Sequence, residues 1–327
     1  MILAGDVGGT KTNLALFSPA GSGLRRTTAR SFRSYDYPSL EAILEVFLAG
    51  RGRIPLACIG VAGPVREGRS RLTNLSWSVD REAVRRACGA RAAYLINDLQ
   101  ALAFSVPFLP PKKVATLQKG DPDPEGNIAV AAAGTGFGQS VLLRTGDGYL
   151  PMASEGGHVD FAPRDEREAA LLFHLKEKHG RVGVERVVSG PGLLGVYRFL
   201  REAEGRPEAP EVETRMSSED PPRVIVSAAL AGRSATCREA VRFFCRLYGA
   251  AAGNLALQYA ATGGVVLGGG LTPALHPVLG KGEFLEAFLD KGRFRGFLGK
   301  VPVKVILDDT AALVGAAWFA RNMGRRR

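Results

Sequence analysis

The stretches Gly5-Asp6-Val7-Gly8-Gly9-Thr10 and Ala133-Gly134-Thr135-Gly136-Phe137-Gly138 decide the fold, because each is a glycine-rich turn between two apolar, strand-like segments. Glycine has no Cβ, so backbone N–H groups in such a turn can approach an anion closely. Two strand–turn–strand units can hold one polyphosphate from both sides. One such turn is equally compatible with an ordinary hairpin. Two turns that carry Asp6, Thr10 and Thr135 indicate phosphate binding.

Neither turn matches the commonest nucleotide-binding motifs. The spacing Gly-x-x-x-x-Gly-Lys-[Ser/Thr] of a Walker loop is missing, and each turn is followed by a strand pattern rather than by the helix of a Rossmann turn. The sequence therefore disfavours both of those folds.

The composition is that of a soluble globular protein, with 46% hydrophobic and 23% charged residues. A chain of 327 residues exceeds the usual size of one core, so we expect two domains. The sequence has neither a signal-peptide pattern nor an apolar run near membrane length, which predicts a cytoplasmic protein without a membrane partner. The four cysteines lack metal-ligand spacing, which predicts reduced thiols and no structural zinc.

The net charge of +11 would suit an anionic partner. The arginines are spread along the chain, however, and clusters such as Arg85-Arg86 lack interleaved aromatic residues. We therefore expect a basic, solvated surface and no nucleic-acid partner.

Strands alternate with helices up to residue 108, a pattern typical of an α/β sheet. The proline-rich residues 109–113 predict a hinge, and the second glycine turn opens a second domain. Residues 203–222 are rich in Pro, Glu, Arg and Ser, which predicts an exposed, mobile loop.

Asp98 is the candidate catalytic base. It follows the buried strand pattern Ala92-Ala93-Tyr94-Leu95-Ile96, and open α/β sheets place ligand-binding residues at such strand ends. The alternative is that Asp98 caps the next helix, at residues 99–106. Asn97 either binds a polar substrate or simply ends the strand.

Further candidates lie in the second half of the chain. Glu155 and His158 flank two glycines and could bind vicinal hydroxyls, although isolated residues of these types are more often surface residues. Glu185 precedes the turn Ser189-Gly190-Pro191-Gly192 and is a weaker signal. The triplet Gly268-Gly269-Gly270 could lie against adenine and ribose, or could only connect a strand to a helix.

Taken in order, these motifs resemble those of bacterial glucokinases of the proteobacterial type, within the hexokinase, actin and Hsp70 superfamily. The resemblance covers the whole chain. It rests on seven segments: residues 6–10 (Asp-Val-Gly-Gly-Thr), 72–77 (Leu-Thr-Asn-Leu-Ser-Trp), 96–98 (Ile-Asn-Asp), 133–136 (Ala-Gly-Thr-Gly), 155–163 (Glu-Gly-Gly-His-Val-Asp-Phe-Ala-Pro), 185–192 (Glu-Arg-Val-Val-Ser-Gly-Pro-Gly) and 268–270 (Gly-Gly-Gly).

The resemblance implies an α/β, RNase H-like (actin-like ATPase) fold, with two domains flanking a deep cleft. The smaller domain would comprise residues 1–108 plus 305–327, and the larger one residues 109–304. The implied activity is Mg²⁺- and ATP-dependent phosphorylation of the glucose 6-hydroxyl by a homodimer.

The resemblance also implies a role for each candidate. Asp98 would be the general base, and Asp6 would orient Mg²⁺ through water. The other sugar ligands would be Asn74, Asn97, Glu155, His158 and Glu185. The nucleotide would be held by Gly8, Gly9, Thr10, Gly134, Thr135 and Gly136 at the phosphates, and by Gly269 and Gly270 at the adenosine.

Three different functions are also compatible with these motifs. The first is a sugar-binding regulator without turnover. Related repressors carry a zinc-binding cysteine cluster and an N-terminal helix-turn-helix, and this chain has neither. The intact Asp98 also favours an enzyme over a regulator. The second function is that of a kinase for a different hexose, and the third is that of an ATPase without a small acceptor.

Overall fold

The computed structural model describes residues 1–72, 75–146 and 148–325. Up to residue 113 the elements are β1 (Ile2–Val7), β2 (Lys11–Ala20), β3 (Gly23–Arg33), α1 (Leu40–Leu48), β4 (Leu56–Val61), β5 (Arg69–Arg71), β6 (Ser78–Asp80), α2 (Arg81–Cys88), β7 (Ala92–Asn97) and α3 (Asp98–Ser105). The later elements are β8 (Val114–Gln118), β9 (Ile128–Ala133), β10 (Phe137–Thr145), β11 (Gly148–Ser154), α4 (Glu166–His179), α5 (Gly190–Glu202), α6 (Pro210–Ser218), α7 (Pro221–Leu230), α8 (Ala235–Gln258), β12 (Gly264–Gly268), α9 (Thr272–Leu279), α10 (Glu283–Leu289), α11 (Arg295–Lys300), β13 (Val303–Ile306) and α12 (Ala311–Arg325).

The contacts divide the chain into two units. Unit 1 comprises Met1–Lys113, Ser140–Ala153 and Asp308–Arg327, and unit 2 comprises Val114–Gln139 and Ser154–Leu307. The predicted α/β class is confirmed, since both units combine sheet and helix. The domain bounds expected from the sequence, residues 1–108 plus 305–327 and residues 109–304, stay a prediction.

The main sheet of unit 1 has the strand order β3-β2-β1-β4-β7. The first two strands of the chain form an antiparallel hairpin around the first glycine turn, whereas β1, β4 and β7 run parallel. Val7, Val61 and Asn97 are in register at the ends of these parallel strands. The first glycine turn and Asn97-Asp98 therefore leave the same edge of one sheet.

Alternating side chains give this sheet two buried faces. Leu3 packs in a cluster with residues of α1 and α2, while its neighbour Ala4 packs on the other face with residues of α3 and α12. Gly315 of α12 lies so close to α3 that a Cβ there would be 1.7 Å from the carbonyl oxygen of Ala101. Unit 1 is therefore a three-layer arrangement with one closely packed helix pair.

The second sheet has the order β11-β10-β9-β12-β13-β8, in which β12 runs parallel to both β9 and β13. Ala132 and Gly268 are in register at the ends of β9 and β12. The second glycine turn and the glycine triplet therefore emerge side by side. The long, largely buried helix α8 forms much of the core of unit 2.

The loop predicted over residues 203–222 is wrong, because α6 occupies residues 210–218 and α7 begins at Pro221. Pro210 suits the first turn of a helix, Val212 is buried, and Arg215 pairs with Glu219 at 2.7 Å. The polar composition of this segment suggested a loop, but the burial of Val212 and the Arg215–Glu219 ion pair, which has helical spacing, stabilise a helix. None of the helices in the described ranges is long and apolar enough to cross a membrane.

Candidate active site

The first glycine turn is held in place by Ser34, which follows β3. The Ser34 hydroxyl donates to the Gly8 carbonyl at 2.9 Å, and the Ser34 amide donates to the Thr10 carbonyl at 3.0 Å. Ser34 is buried, and its hydroxyl also lies 3.0 Å from that of Thr12. These contacts of Ser34 use carbonyl groups of the turn, whereas the Gly8 amide donates within the hairpin to the Lys11 carbonyl at 2.9 Å.

Asp6 lies near the end of β1, and its carboxylate accepts a hydrogen bond from Asn13 Nδ2 at 3.3 Å. Burial raises the pKa of Asp6, and the Asn13 hydrogen bond and the charge of Lys11 oppose that rise without cancelling it. A partly desolvated carboxylate gains free energy when a cation approaches it. Asp6 therefore fits a Mg²⁺ position beside the first glycine turn.

Asn97, rather than Asp98, caps α3. Asn97 Oδ1 accepts from the Leu99 amide at 2.8 Å, and Asn97 Nδ2 donates to the Gly63 carbonyl at 3.2 Å. The alternative that Asp98 is the cap is therefore wrong. Asp98 is the half-buried first residue of the helix, where its carboxylate Oδ1 accepts from the Leu99 amide at 2.9 Å.

Glu185 contacts the second glycine turn directly. Its Oε2 accepts a hydrogen bond from the Phe137 amide at 2.9 Å, and a Cβ on Gly136 would lie 2.5 Å from the same oxygen. The Gly190 amide, at the start of α5, donates to the Gly134 carbonyl at 2.7 Å. One predicted sugar ligand, Glu185, is therefore hydrogen-bonded to the predicted phosphate turn within unit 2.

The glycine triplet packs against the second turn. Gly269 has φ +86°, and a Cβ there would lie 2.4 Å from the Ala133 carbonyl oxygen, so this position requires glycine. Apart from Gly270 itself and its two chain neighbours, no described atom lies within 4 Å of a Cβ built on Gly270, so the space beside it, after the end of β12, is open. The triplet also leads into α9. Contact with adenine and ribose and a simple strand-to-helix connection, the two uses expected from the sequence, are therefore both compatible with the geometry.

Glu155 precedes a single helical turn, Gly156–His158, and His158 is its last residue; Glu155 and His158 are both exposed. A Cβ on Gly157 would lie 1.8 Å from the Phe137 carbonyl oxygen, so this turn packs directly on β10. A cavity of about 300 Å³ adjoins Glu155 and Gly156 on the side of α8. The absence of a side chain at Gly157 allows the turn to lie against β10, with Glu155 and His158 at the surface.

The predicted site residues fall into two sets. The set in unit 1 consists of Asp6, Gly8, Gly9, Thr10, Asn97 and Asp98. The set in unit 2 consists of Gly134, Thr135, Gly136, Glu155, His158, Glu185, Gly269 and Gly270. Asn74 lies outside the described residues, and its role stays a prediction.

Sequence reasoning missed Ser34 and Gln100, two residues that hold the site. Gln100 had a local signal, because Asn97-Asp98-Leu99-Gln100 has the Asn-x-x-Gln spacing of a capping box. Ser34 had none, because only the pairing of β2 with β3 brings it to the first turn. Within the described ranges, no three His, Cys, Asp or Glu side chains are grouped to hold a metal ion.

Comparison with solved structures defines the class. A glucokinase from an Antarctic psychrotroph superposes with a TM-score of 0.84 at 32% identity, over 98% of each chain. A glucokinase from Streptomyces griseus, of the ROK family and solved with glucose and AMPPNP, superposes with a TM-score of 0.66 at 20% identity, over 98% of this chain and 99% of that one. The fold is that of the sugar kinases with an actin-like ATPase architecture.

The sequence comparisons identify the family. The glucokinase family profile matches residues 3–323. A glucokinase from Nostoc punctiforme is 39% identical over 340 aligned positions, which cover 99% of both chains. The chain belongs to the glucokinase family.

Proposed function

We propose that the protein transfers the γ-phosphoryl group of ATP to the 6-hydroxyl of glucose, with Asp98 as the general base. Membership of the glucokinase family supports the substrate and the reaction. Phosphoryl transfer requires positioned reactants, neutralised phosphate charge and a base at the acceptor, and each requirement has candidate groups in this chain.

The observation that carries the proposal is the register of the parallel strands in unit 1. Val7, Val61 and Asn97 end neighbouring strands at one sheet edge, so the predicted phosphate-binding turn and the Asp98 carboxylate follow strands that are two apart in the sheet. Ligands of open α/β sheets bind at such an edge. In the proposed reaction, Asp98 takes the proton of the glucose 6-hydroxyl while the oxygen of that hydroxyl attacks the γ-phosphorus. The bond between the γ-phosphorus and the bridging oxygen then breaks, and this oxygen leaves with ADP.

The remaining side chains bind and orient the reactants. We assign the other sugar hydroxyls to Asn97, Glu155, His158 and Glu185. The glycine turns, with Thr10 and Thr135, supply backbone and hydroxyl donors to the phosphates, and the open surface at Gly270 supports adenosine. Mg²⁺ would neutralise phosphate charge, and the desolvated carboxylate of Asp6 would hold it through water.

A coupled assay of ADP release tests this function with a panel of sugars and phosphoryl donors. Glucose with ATP and Mg²⁺ should give the highest kcat/KM among glucose, mannose and glucosamine, which differ only at carbon 2. ADP release independent of sugar would indicate an ATPase instead. Glucose binding without ADP release would indicate a regulator.

Glu155→Gln and His158→Ala should each weaken glucose affinity by roughly 1–3 kcal/mol, since each leaves sugar hydroxyls without a partner. Titration calorimetry with glucose measures the effect. Glu177→Gln, an exposed change on α4, is the matched control and should leave affinity unchanged. Unchanged affinity in both site variants would place Glu155 and His158 outside the sugar site.

Family resemblance supports two further proposals, a homodimer and a cytoplasmic location. Light scattering of the purified protein tests the first. A mass of twice 34.7 kDa is the expected result, and a mass of 34.7 kDa at assay concentrations would contradict it.

A further inference from the structure

Gln100 is the third residue of α3, and both ends of its side-chain amide are engaged. Its Oε1 accepts a hydrogen bond from the Asn97 amide at 3.0 Å. Its Nε2 donates to the Pro151 carbonyl of β11 at 3.0 Å. All three residues belong to unit 1. The Gln100 side chain therefore joins Asn97, the residue before Asp98, to β11 of the second sheet.

Asn97 is fixed by three separate hydrogen bonds. Its backbone amide is held by Gln100, its Nδ2 by the Gly63 carbonyl, and its Oδ1 by the Leu99 amide. Asp98 follows directly, and its own carboxylate shares that Leu99 amide. The position of the Asp98 carboxylate thus depends on how rigidly Asn97 and the first turn of α3 are held.

We propose that Gln100 is a positioning residue for phosphoryl transfer, which fixes the Asp98 carboxylate by tying the first turn of α3 to β11. The inference rests on the proposed role of Asp98 as the base. Reactive groups held in an attack geometry gain much of their rate from orientation, and a shift of about 1 Å can cost a factor on the order of 10².

The chemistry of this position requires an amide. Glutamate also completes a capping box, because its carboxylate accepts from the backbone amide of the cap. A carboxylate cannot donate to the Pro151 carbonyl, however, and would place a negative charge against its oxygen. Glutamine satisfies both partners. The capping-box spacing explains why an acceptor for the Asn97 amide stands at position 100, and the contact with β11 explains why the same side chain must also donate.

The test compares three purified full-length variants with the wild type. Gln100→Met keeps the length of the side chain and removes both hydrogen bonds, and Gln100→Glu keeps only the bond to Asn97. Gln118→Met is the matched control, since Gln118 donates to the Leu298 and Val301 carbonyls in unit 2. All three should lower Tm modestly.

Only the Gln100 variants should change catalysis. Gln100→Met should lower kcat by roughly 10-fold with glucose KM changed less than about 3-fold, because it moves the base rather than the sugar ligands. The kcat of Gln100→Glu should lie between that of Gln100→Met and that of the wild type. If Gln100→Met does not fold, the kcat of Gln100→Glu alone tests the inference. An unchanged kcat in both, or an equal loss in Gln118→Met, would overturn the inference.

A double-variant cycle with Asp98→Asn separates this inference from the function on which it rests. If Gln100 acts through Asp98, Gln100→Met should have little further effect on kcat once the base is gone. An equal loss in both backgrounds would overturn the positioning role. A wild-type kcat in Asp98→Asn alone would overturn the base assignment itself, and the inference with it.

Discussion

Asp98→Asn should lower kcat by a factor on the order of 10² to 10⁴ while leaving glucose binding largely intact. Asparagine keeps the size of the side chain and an oxygen that can accept from the Leu99 amide, as Asp98 Oδ1 does at 2.9 Å. It cannot take the proton of the attacking hydroxyl. The coupled assay measures kcat, and calorimetry with glucose measures binding.

Asp80→Asn is the matched control for this change. Asp80 caps α2 in the same unit, where its Oδ1 accepts from the amides of Glu82 and Ala83. The same substitution there should leave kcat unchanged. Wild-type turnover in Asp98→Asn, with glucose bound, would remove Asp98 from the role of base.

Gly157→Ala should lower kcat/KM for glucose by a factor on the order of 10², because the new methyl group has no space. Its carbon would lie 1.8 Å from the Phe137 carbonyl oxygen, a backbone atom of β10 that cannot move as a flexible side chain can. The turn that carries Glu155 and His158 must therefore shift away from the strand. Steady-state kinetics and a thermal melt together measure the effect.

Gly299→Ala provides the comparison, since no described atom lies within 4 Å of a Cβ at that position of α11. It should leave both kcat/KM and Tm close to wild type or raise Tm slightly, because alanine favours helix more than glycine does. If Gly157→Ala retained full kcat/KM, the close packing of this turn on β10 would have no bearing on sugar binding.

Glu185 contacts the second glycine turn inside unit 2, a contact that its place in the sequence does not indicate. From the sequence it is a polar residue near a glycine turn and a weak candidate. In the structure its Oε2 binds the Phe137 amide at the end of the second glycine turn. The role of Glu185 as a sugar ligand stays a prediction.

The sequence by itself determined the features that depend on local stereochemistry. Glycine-rich turns between apolar strands and a carboxylate at the end of a buried strand follow from neighbouring residues. The order of these motifs was also enough to indicate the family, because motif order is a property of the chain.

Only the tertiary structure decided which groups hold those features in place. Ser34 reaches the first glycine turn through strand pairing, Glu185 reaches Phe137 across 48 positions, and Gln100 reaches Pro151 across 51. The physical reason is that such hydrogen bonds join residues far apart in the chain, and strand register and packing bring them together.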